Sequence, residues 1–271
     1  MEMSLGDREF TQFQTLMRRV AGIHLPISKK TLVSGRLSKR LRMRGITSYG
    51  DYYRYIVGGS DPAELQTAIE LLTTNETYFF REPSHFEFLA HEVLPNLRPG
   101  ADLRVWSAAC STGEEAYSIA MVLMDRLGES ASWEVFGSDI NGKVLETAGG
   151  ATYTTARNEA SIPVEYRRRF CLRGTGAMAG KLRVAASVRD RVRFDRMNLN
   201  EDLSSAGQFD VVFLRNVMIY FDMDMKRRVV AALHRQIRPG GWLFVGHSEN
   251  LHGVSSSFSQ ARPTIYRKSS I

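Results

Sequence analysis

The sequence predicts an α/β fold, preceded by a small all-helical unit and carrying a small antiparallel β-subdomain. Three observations lead there. Apolar residues recur with helical spacing, and without a convincing strand, through roughly the first hundred residues. From Leu103 onward, short Val-, Phe- and Leu-rich runs alternate with amphipathic stretches, the pattern of a mostly parallel sheet with helices on both faces. A stretch near residues 169–188 breaks that alternation around a Gly-rich turn.

In the N-terminal part, Phe10, Phe13, Leu16, Met17 and Val20 mark one helix and Leu65, Ala68, Ile69 and Leu72 another. Gly22 with Pro26, Gly45, and the run Gly58 to Pro62 punctuate the region into short helices, giving a helical domain over 1–75. Residues 76–98 read as a linker and connecting helix through Phe86, Leu89 and Val93, and the Pro95 to Gly100 turn opens the domain at 99–271. There Leu103 to Ala108 reads as a strand, Glu115 to Leu127 as a helix, Trp133 to Ser138 as a strand and Lys143 to Ala148 as a helix. Val192 to Met197, Phe209 to Leu214, Asp224 to Ile237 and Trp242 to Gly246 continue the alternation. The β-subdomain is placed at about 169–188.

The chain has 271 residues, 43% of them hydrophobic and 24% charged. Apolar runs such as Val211 to Leu214 are far shorter than the roughly 18–20 residues that cross a bilayer. The opening MEMSLGDREF has no secretory pattern, so a cytoplasmic protein without direct membrane insertion is expected. Cys110 and Cys171 cannot make a disulfide framework, and the six histidines show no paired ligand spacing, so no metal is expected. Without a Gly-x-Ser-x-Gly elbow, serine hydrolysis also loses support.

Thirty-six Lys and Arg against 29 Asp and Glu give a formal charge of +7, which suits an acidic partner. From Lys29 to Arg44 there are seven bases and no acid. Arg36, Arg40 and Arg44 stand at i, i+4 and i+8, beside an apolar row of Val33, Leu37 and Leu41. With Lys39, they read as the cationic outer face of an amphipathic helix, either docking an acidic partner or simply solvated.

In an open parallel sheet, ligands bind beyond the carboxyl ends of the strands, so the loop Ser107 to Glu115 is the place to look. Glu114 and Glu115 at the start of the next helix would repel a pyrophosphate and favour a cationic or zwitterionic ligand, with helix capping as the lesser alternative. Asp139, about 25 residues on, can accept from both hydroxyls of a ribose. A nucleoside with a positive group, as in S-adenosylmethionine, satisfies these features together. GTGAMAG at Gly174 to Gly180 lacks the helix that a dinucleotide fingerprint needs and reads as a hairpin loop. Two further polar clusters, Thr73 to Glu82 and Arg215 to Phe221, lie in otherwise apolar surroundings; the second lacks the Asn/Asp-Pro-Pro-Tyr loop usual in nucleobase amino-methyltransferases.

TTNETYFFRE, VWSAACSTGEEAYSIAM, FDVVFLRNVMIYFD and RPGGWLFVGHSENL, in that order, resemble the chemotaxis receptor methyltransferases of the CheR family over essentially the whole chain. The resemblance implies a Rossmann-like S-adenosylmethionine-dependent domain that esterifies glutamate side chains on chemoreceptor cytoplasmic helices, with S-adenosylhomocysteine as product. By motif it implies that Asn75, Thr77, Arg81, Glu115, Asp139, Asn198, Leu199, Asn216 and Val217 line the cofactor pocket. It also implies that Arg81 and Tyr220 face the transferred methyl; Glu114 remains an alternative to Glu115. The helix near Ala148 departs from the family pattern, with Gly149 and Gly150 where arginine and a helix former are expected.

In some family members the β-subdomain docks a receptor's C-terminal peptide by strand addition, so Gly174 and Gly176 join Arg36, Lys39, Arg40 and Arg44 as substrate-docking residues. The implied protein is a monomer recruited to membrane receptor arrays and binding no nucleic acid. A basic RNA methyltransferase and a noncatalytic cofactor-binding regulator are the alternatives on the same fold.

Overall fold

The computed structural model describes residues 4–97, 100 and 102–270. Arg98 and Pro99, within the expected Pro95 to Gly100 turn, lie outside them. The chain divides into two compact units, one holding the residues through Thr74 together with Tyr220–Lys226, the other Asn75–Ile219 and the residues from Arg227.

The first unit contains α1 (Asp7–Ala21), α2 (Lys30–Met43), α3 (Tyr49–Val57) and α4 (Pro62–Leu72). Capping contacts mark the starts of α1, α3 and α4. Glu9 accepts the Gly6 N–H at 2.7 Å, the Ser48 hydroxyl oxygen accepts from Asp51, and Asp61 caps α4 one residue before Pro62. Phe10, Phe13, Leu16 and Met17 of α1 and Val33, Leu37 and Leu41 of α2 are all buried. Gly22 ends α1 at φ +70°, where a Cβ would come within 2.8 Å of three Met225 side-chain atoms. The 220–226 segment is held here by the His24 N–H, which donates to the Tyr220 carbonyl at 2.7 Å, by an Ile23–Phe221 bridge and by Arg18–Asp222 at 2.7 Å.

The arginine row of α2 corrects the expectation of a cationic outer face. Arg36 donates to the Thr73 carbonyl at 2.6 Å. Arg40 Nε and Arg44 Nε donate to Glu64 at 2.8 and 2.9 Å, and Glu64 is fully buried. Tyr52 adds a third donor at 2.8 Å. The row therefore faces a buried carboxylate on α4, and Arg36, Arg40 and Arg44 hold the unit together. A period of four places residues on one face without saying what that face meets. Lys39 and Arg42 are the exposed bases of α2.

The second unit runs α5 (Pro83–Phe88), β1 (Leu103–Ala108), α6 (Glu114–Leu127), β2 (Trp133–Asp139), α7 (Gly142–Gly150), β3 (Thr152–Thr154), α8 (Thr155–Asn158) and α9 (Val164–Phe170). It continues with β4 (Cys171–Arg173), β5 (Lys181–Val184), α10 (Ala186–Arg189), β6 (Val192–Arg196), β7 (Phe209–Leu214), α11 (Met223–Gln236, its first turn counted with the helical unit), β8 (Ile237–Val245), β9 (Phe258–Arg262) and β10 (Ile265–Lys268). A seven-stranded sheet has the order β6-β2-β1-β7-β8-β10-β9; its first five strands are parallel and β10 and β9 antiparallel. Its central residues, Val105, Val135, Val211, Phe213 and Phe244, are fully buried.

Three details differ from expectation. Residues 76–97 hold the expected helix (Pro83–Phe88) but belong to the sheet unit itself, with Phe79, Phe80, Phe86, Leu89 and Val93 in its core. The small sheet is ordered β3-β5-β4, so it recruits residues 152–154 from before the expected 169–188 segment. The C-terminal β9–β10 pair carries no strong alternation and was not expected. α7 runs through Gly149 and Gly150 and stops at Ala151 in the left-handed region.

Candidate functional site

The sheet changes direction of growth at β1: β2 and β6 lie on one side and β7 on the other. The carboxyl ends of β6, β2, β1 and β7 are therefore adjacent, and the loops leaving them carry Asn198 and Leu199, Asp139, Ser111 to Glu115, and Asn216 and Val217.

After β1 the backbone folds tightly, with Ala109 at φ 72°, Ser111 at 51° and Gly113 at 93°. The Ala109 and Cys110 N–H groups donate to the Ser138 carbonyl at 2.8 Å, binding the loop to the end of β2. Gly113 is required there, because a Cβ would sit 2.8 Å from Ala148 Cβ. Asp139, 8% exposed, accepts the Ser111 N–H on Oδ2 and the Asn141 N–H on Oδ1, both at 2.9 Å. Burial pushes its pKa up, and the N–H donors of Asn141, Ser111 and Ile140 oppose that rise. The Met197 N–H donates to the Asp139 carbonyl at 3.0 Å, tying the Asn198 loop to the same point.

Glu114 and Glu115 have different surroundings. Glu114 accepts from the Thr112 hydroxyl at 2.5 Å. Glu115 accepts from Ser107 at 2.7 Å and from Arg215 at 3.0 Å. Burial raises the pKa of both, and Arg215 is the main influence holding Glu115 down.

The Asn75–Glu82 segment reaches this edge through the Ser111 hydroxyl, which donates to the Asn75 carbonyl at 2.9 Å, and through the Phe80 N–H, which donates to Ser118 at 2.9 Å. Thr77 is buried, and its carbonyl accepts from Arg157 at 3.5 Å. Arg81 donates to the Glu76 carbonyl at 3.1 Å, and its guanidinium carbon lies 5.7 Å from the Tyr78 ring centre. Asn216, at φ 58°, donates its backbone N–H to Glu249 at 2.8 Å and its amide to Glu82 at 3.2 Å. Gly246 permits that approach, since a Cβ would lie 2.5 Å from Asn216 Nδ2. Within the second unit, every expected cofactor residue thus stands on this edge or on a loop bonded to it. Tyr220 is placed by its contacts with the helical unit.

Sequence reasoning placed Glu82 and Arg215 in polar clusters without giving either a role, and passed over Glu249. Arg215 is separated by 100 residues from Glu115 and by 134 from Arg81, so no local pattern announces the pairing. Glu82, His85 and His247 bring three potential metal-ligating atoms within 4.8 Å of one another. Arg215 Nη2 lies 2.9 Å from Glu82 Oε2, so a guanidinium already supplies the positive charge at that oxygen and no metal is assigned. Although burial works to raise Glu82, Arg215 together with the His247 N–H and the Asn216 amide outweighs it and keeps the carboxyl low. Burial and the Arg215 charge hold His85 neutral, with a pKa of about 3.

The buried carboxylates and tight backbone turns at these strand ends suit a nucleoside ligand that carries positive charge. Gly174, Gly176 and the hairpin between β4 and β5 lie in the small sheet: Gly174 donates to the Lys181 carbonyl at 2.9 Å, and a Cβ there would stand 2.0 Å from the Met178 carbonyl oxygen.

Comparison with known proteins agrees with this geometry. Residues 8–73 match the model of the CheR methyltransferase all-alpha domain, and residues 75–267 that of the CheR methyltransferase SAM binding domain. A chemotaxis protein methyltransferase of Klebsiella aerogenes is 42% identical over 266 residues, covering 97% of this chain and 90% of the relative. Chemotaxis protein methyltransferase 2 of Pseudomonas aeruginosa is 42% identical over 260 residues, covering 95% and 92%. A chemotaxis protein methyltransferase of Escherichia coli is 40% identical over 266 residues, covering 97% and 92%.

Proposed function

The chain belongs to the CheR methyltransferase family and is an S-adenosylmethionine-dependent methyltransferase; on that premise we propose that it methylates glutamate side-chain carboxylates on the cytoplasmic helices of chemoreceptors. The observation that carries the proposal is the set of loops from four adjacent strand ends, linked by hydrogen bonds to the Asn75–Glu82 segment. When bound, S-adenosylmethionine supplies a sulfonium methyl that passes to a carboxylate oxygen, leaving S-adenosylhomocysteine. Asp139 would accept from the ribose, the Asn198–Leu199 and Asn216–Val217 loops would hold the nucleoside, and one carboxylate of the Glu114–Glu115 pair would offset its positive charge.

A glutamate is already ionised near neutral pH, so the site needs no general base, and its task is orientation and exclusion of water. Arg81 and Tyr220 orient the reacting groups. Arg81 is not an electrophilic catalyst, because a tight grip on the carboxylate would blunt its nucleophilicity.

Substrate capture has two parts in this reading. Lys39 and Arg42, exposed on α2, face acidic receptor helices. The edge of the β3-β5-β4 sheet takes a receptor tail by strand addition and raises the local substrate concentration. Among the described residues no helix is long and apolar enough to cross a membrane, so recruitment to receptor arrays would come from these surfaces.

Transfer of labelled methyl groups to a receptor cytoplasmic fragment and to RNA, followed by base treatment, tests the proposal. Base-labile methanol from the receptor alone is expected; label retained in RNA, or no transfer to either, would refute it. Direct binding of receptor tail peptides tests the tether, which fails if none of the host's tails bind.

A further inference from the structure

Arg215, immediately after β7, has a side chain only 1% exposed, and two other chain segments, Arg81–Glu82 and the start of α6, meet on its guanidinium. Nη1 donates to Glu115 Oε2 at 3.0 Å, at the start of α6. Nη2 donates to the Arg81 carbonyl and lies 2.9 Å from Glu82 Oε2. Glu82 in turn accepts the Asn216 amide at 3.2 Å and the His247 N–H at 3.1 Å. A buried charge is costly to leave unpaired, so a guanidinium here ties both segments to the end of β7 through its two Nη groups. Lysine could not replace it, since an ammonium lacks the planar fork that donates to the Glu115 carboxylate and the Arg81 carbonyl in fixed directions while pairing in charge with Glu82.

Charge counting points the same way. Two carboxylates meet one guanidinium, leaving a surplus negative charge beside loops that would receive a cationic cofactor. Arg215 itself carries none of the assigned cofactor contacts. It holds the backbone of Arg81, the carboxylate of Glu115 and, through Glu82, the amide of Asn216.

We propose that Arg215 is the positioning residue of the cofactor pocket, fixing the Arg81 loop and the first turn of α6 against the end of β7. The proposal rests on reading this edge as the S-adenosylmethionine site and adds a residue to it. Because Arg215 acts through its neighbours, its loss and the loss of Arg81 should not add.

The test is calorimetric binding of S-adenosylmethionine to the full chain, well below the unfolding temperature, for Arg215→Lys, Arg81→Ala, the double variant and Asp139→Ala. Arg215→Lys is expected to weaken binding about tenfold or more, with the double variant within about twofold of the weaker single variant. Steady-state kinetics should show the Arg215→Lys defect in KM for the cofactor more than in kcat. A lowered unfolding temperature with unchanged cofactor affinity, or fully additive effects in the double variant, would overturn the proposal. If Arg215→Lys does not fold, Glu82→Gln reports the same link: about fivefold weaker binding is expected, and unchanged affinity overturns it. Weakening by Asp139→Ala alone would leave the pocket reading intact and remove Arg215; no effect of either would remove both.

Discussion

The Ser111 N–H donates to Asp139 Oδ2 at 2.9 Å, so the acid ending β2 also fixes the loop that follows β1. With the Asn141 N–H on the other oxygen, both carboxylate oxygens accept from the backbone. Asp139→Asn should therefore cost stability as well as binding, since an amide turns one of those oxygens into a donor facing a donor. A loss of about 1–3 kcal/mol in chemical denaturation is expected. A variant as stable as the wild type would show that the loop does not depend on these bonds.

Acid should loosen the helical unit through Glu64. Hydrogen bonds from Arg40, helped by Tyr52 and Arg44, hold its pKa at about 2 against an ordinary 4.5. Because the folded value is depressed, the stabilisation is fully present above pH 4.5 and is lost as pH falls toward 2. Glu64→Gln should remove about 3 kcal/mol at neutral pH and flatten the acid limb of the denaturation profile.

Charge reversal on α2 should separate docking from folding. Lys39→Glu with Arg42→Glu is expected to preserve the unfolding temperature, weaken association with a receptor fragment several-fold and reduce its salt dependence. Arg40→Glu, by contrast, places a second carboxylate against buried Glu64 and should unfold the helical unit. Equal effects of the two changes on stability would contradict the burial pattern of α2.

Arg81→Ala and Tyr220→Phe should lower turnover on the order of 10- to 100-fold while leaving receptor affinity nearly unchanged. Single-turnover methylation checks this. Normal chemistry with impaired receptor binding would move both residues to the docking surface.

The alternation after Leu103 was legible because buried parallel strands are continuous apolar runs, as in Val211 to Leu214, and the helices between them keep an apolar stripe. Asp139 and the Ser107 to Glu115 loop were legible as candidates because they stand at the ends of the second and first apolar strand runs of the alternating domain. The arginine row of α2 was misread because its partner, Glu64, lies 20 and 24 residues away and gives no local signal. Arg215 and Glu82 stood in the two polar clusters, but their pairing gave no signal for the same reason at longer range. Three-residue strands such as Thr152–Thr154 are too short to show alternation, so the small sheet looked narrower in sequence than it is.

Calorimetric titration of S-adenosylmethionine into the wild-type chain and Asp139→Ala tests the assigned pocket most directly. Single-site binding by the wild type is expected, weakened in the variant by about 1–3 kcal/mol, the cost of leaving ribose hydroxyls without their acceptor. Unchanged affinity in a folded Asp139→Ala variant would contradict the placement of the cofactor at these strand ends.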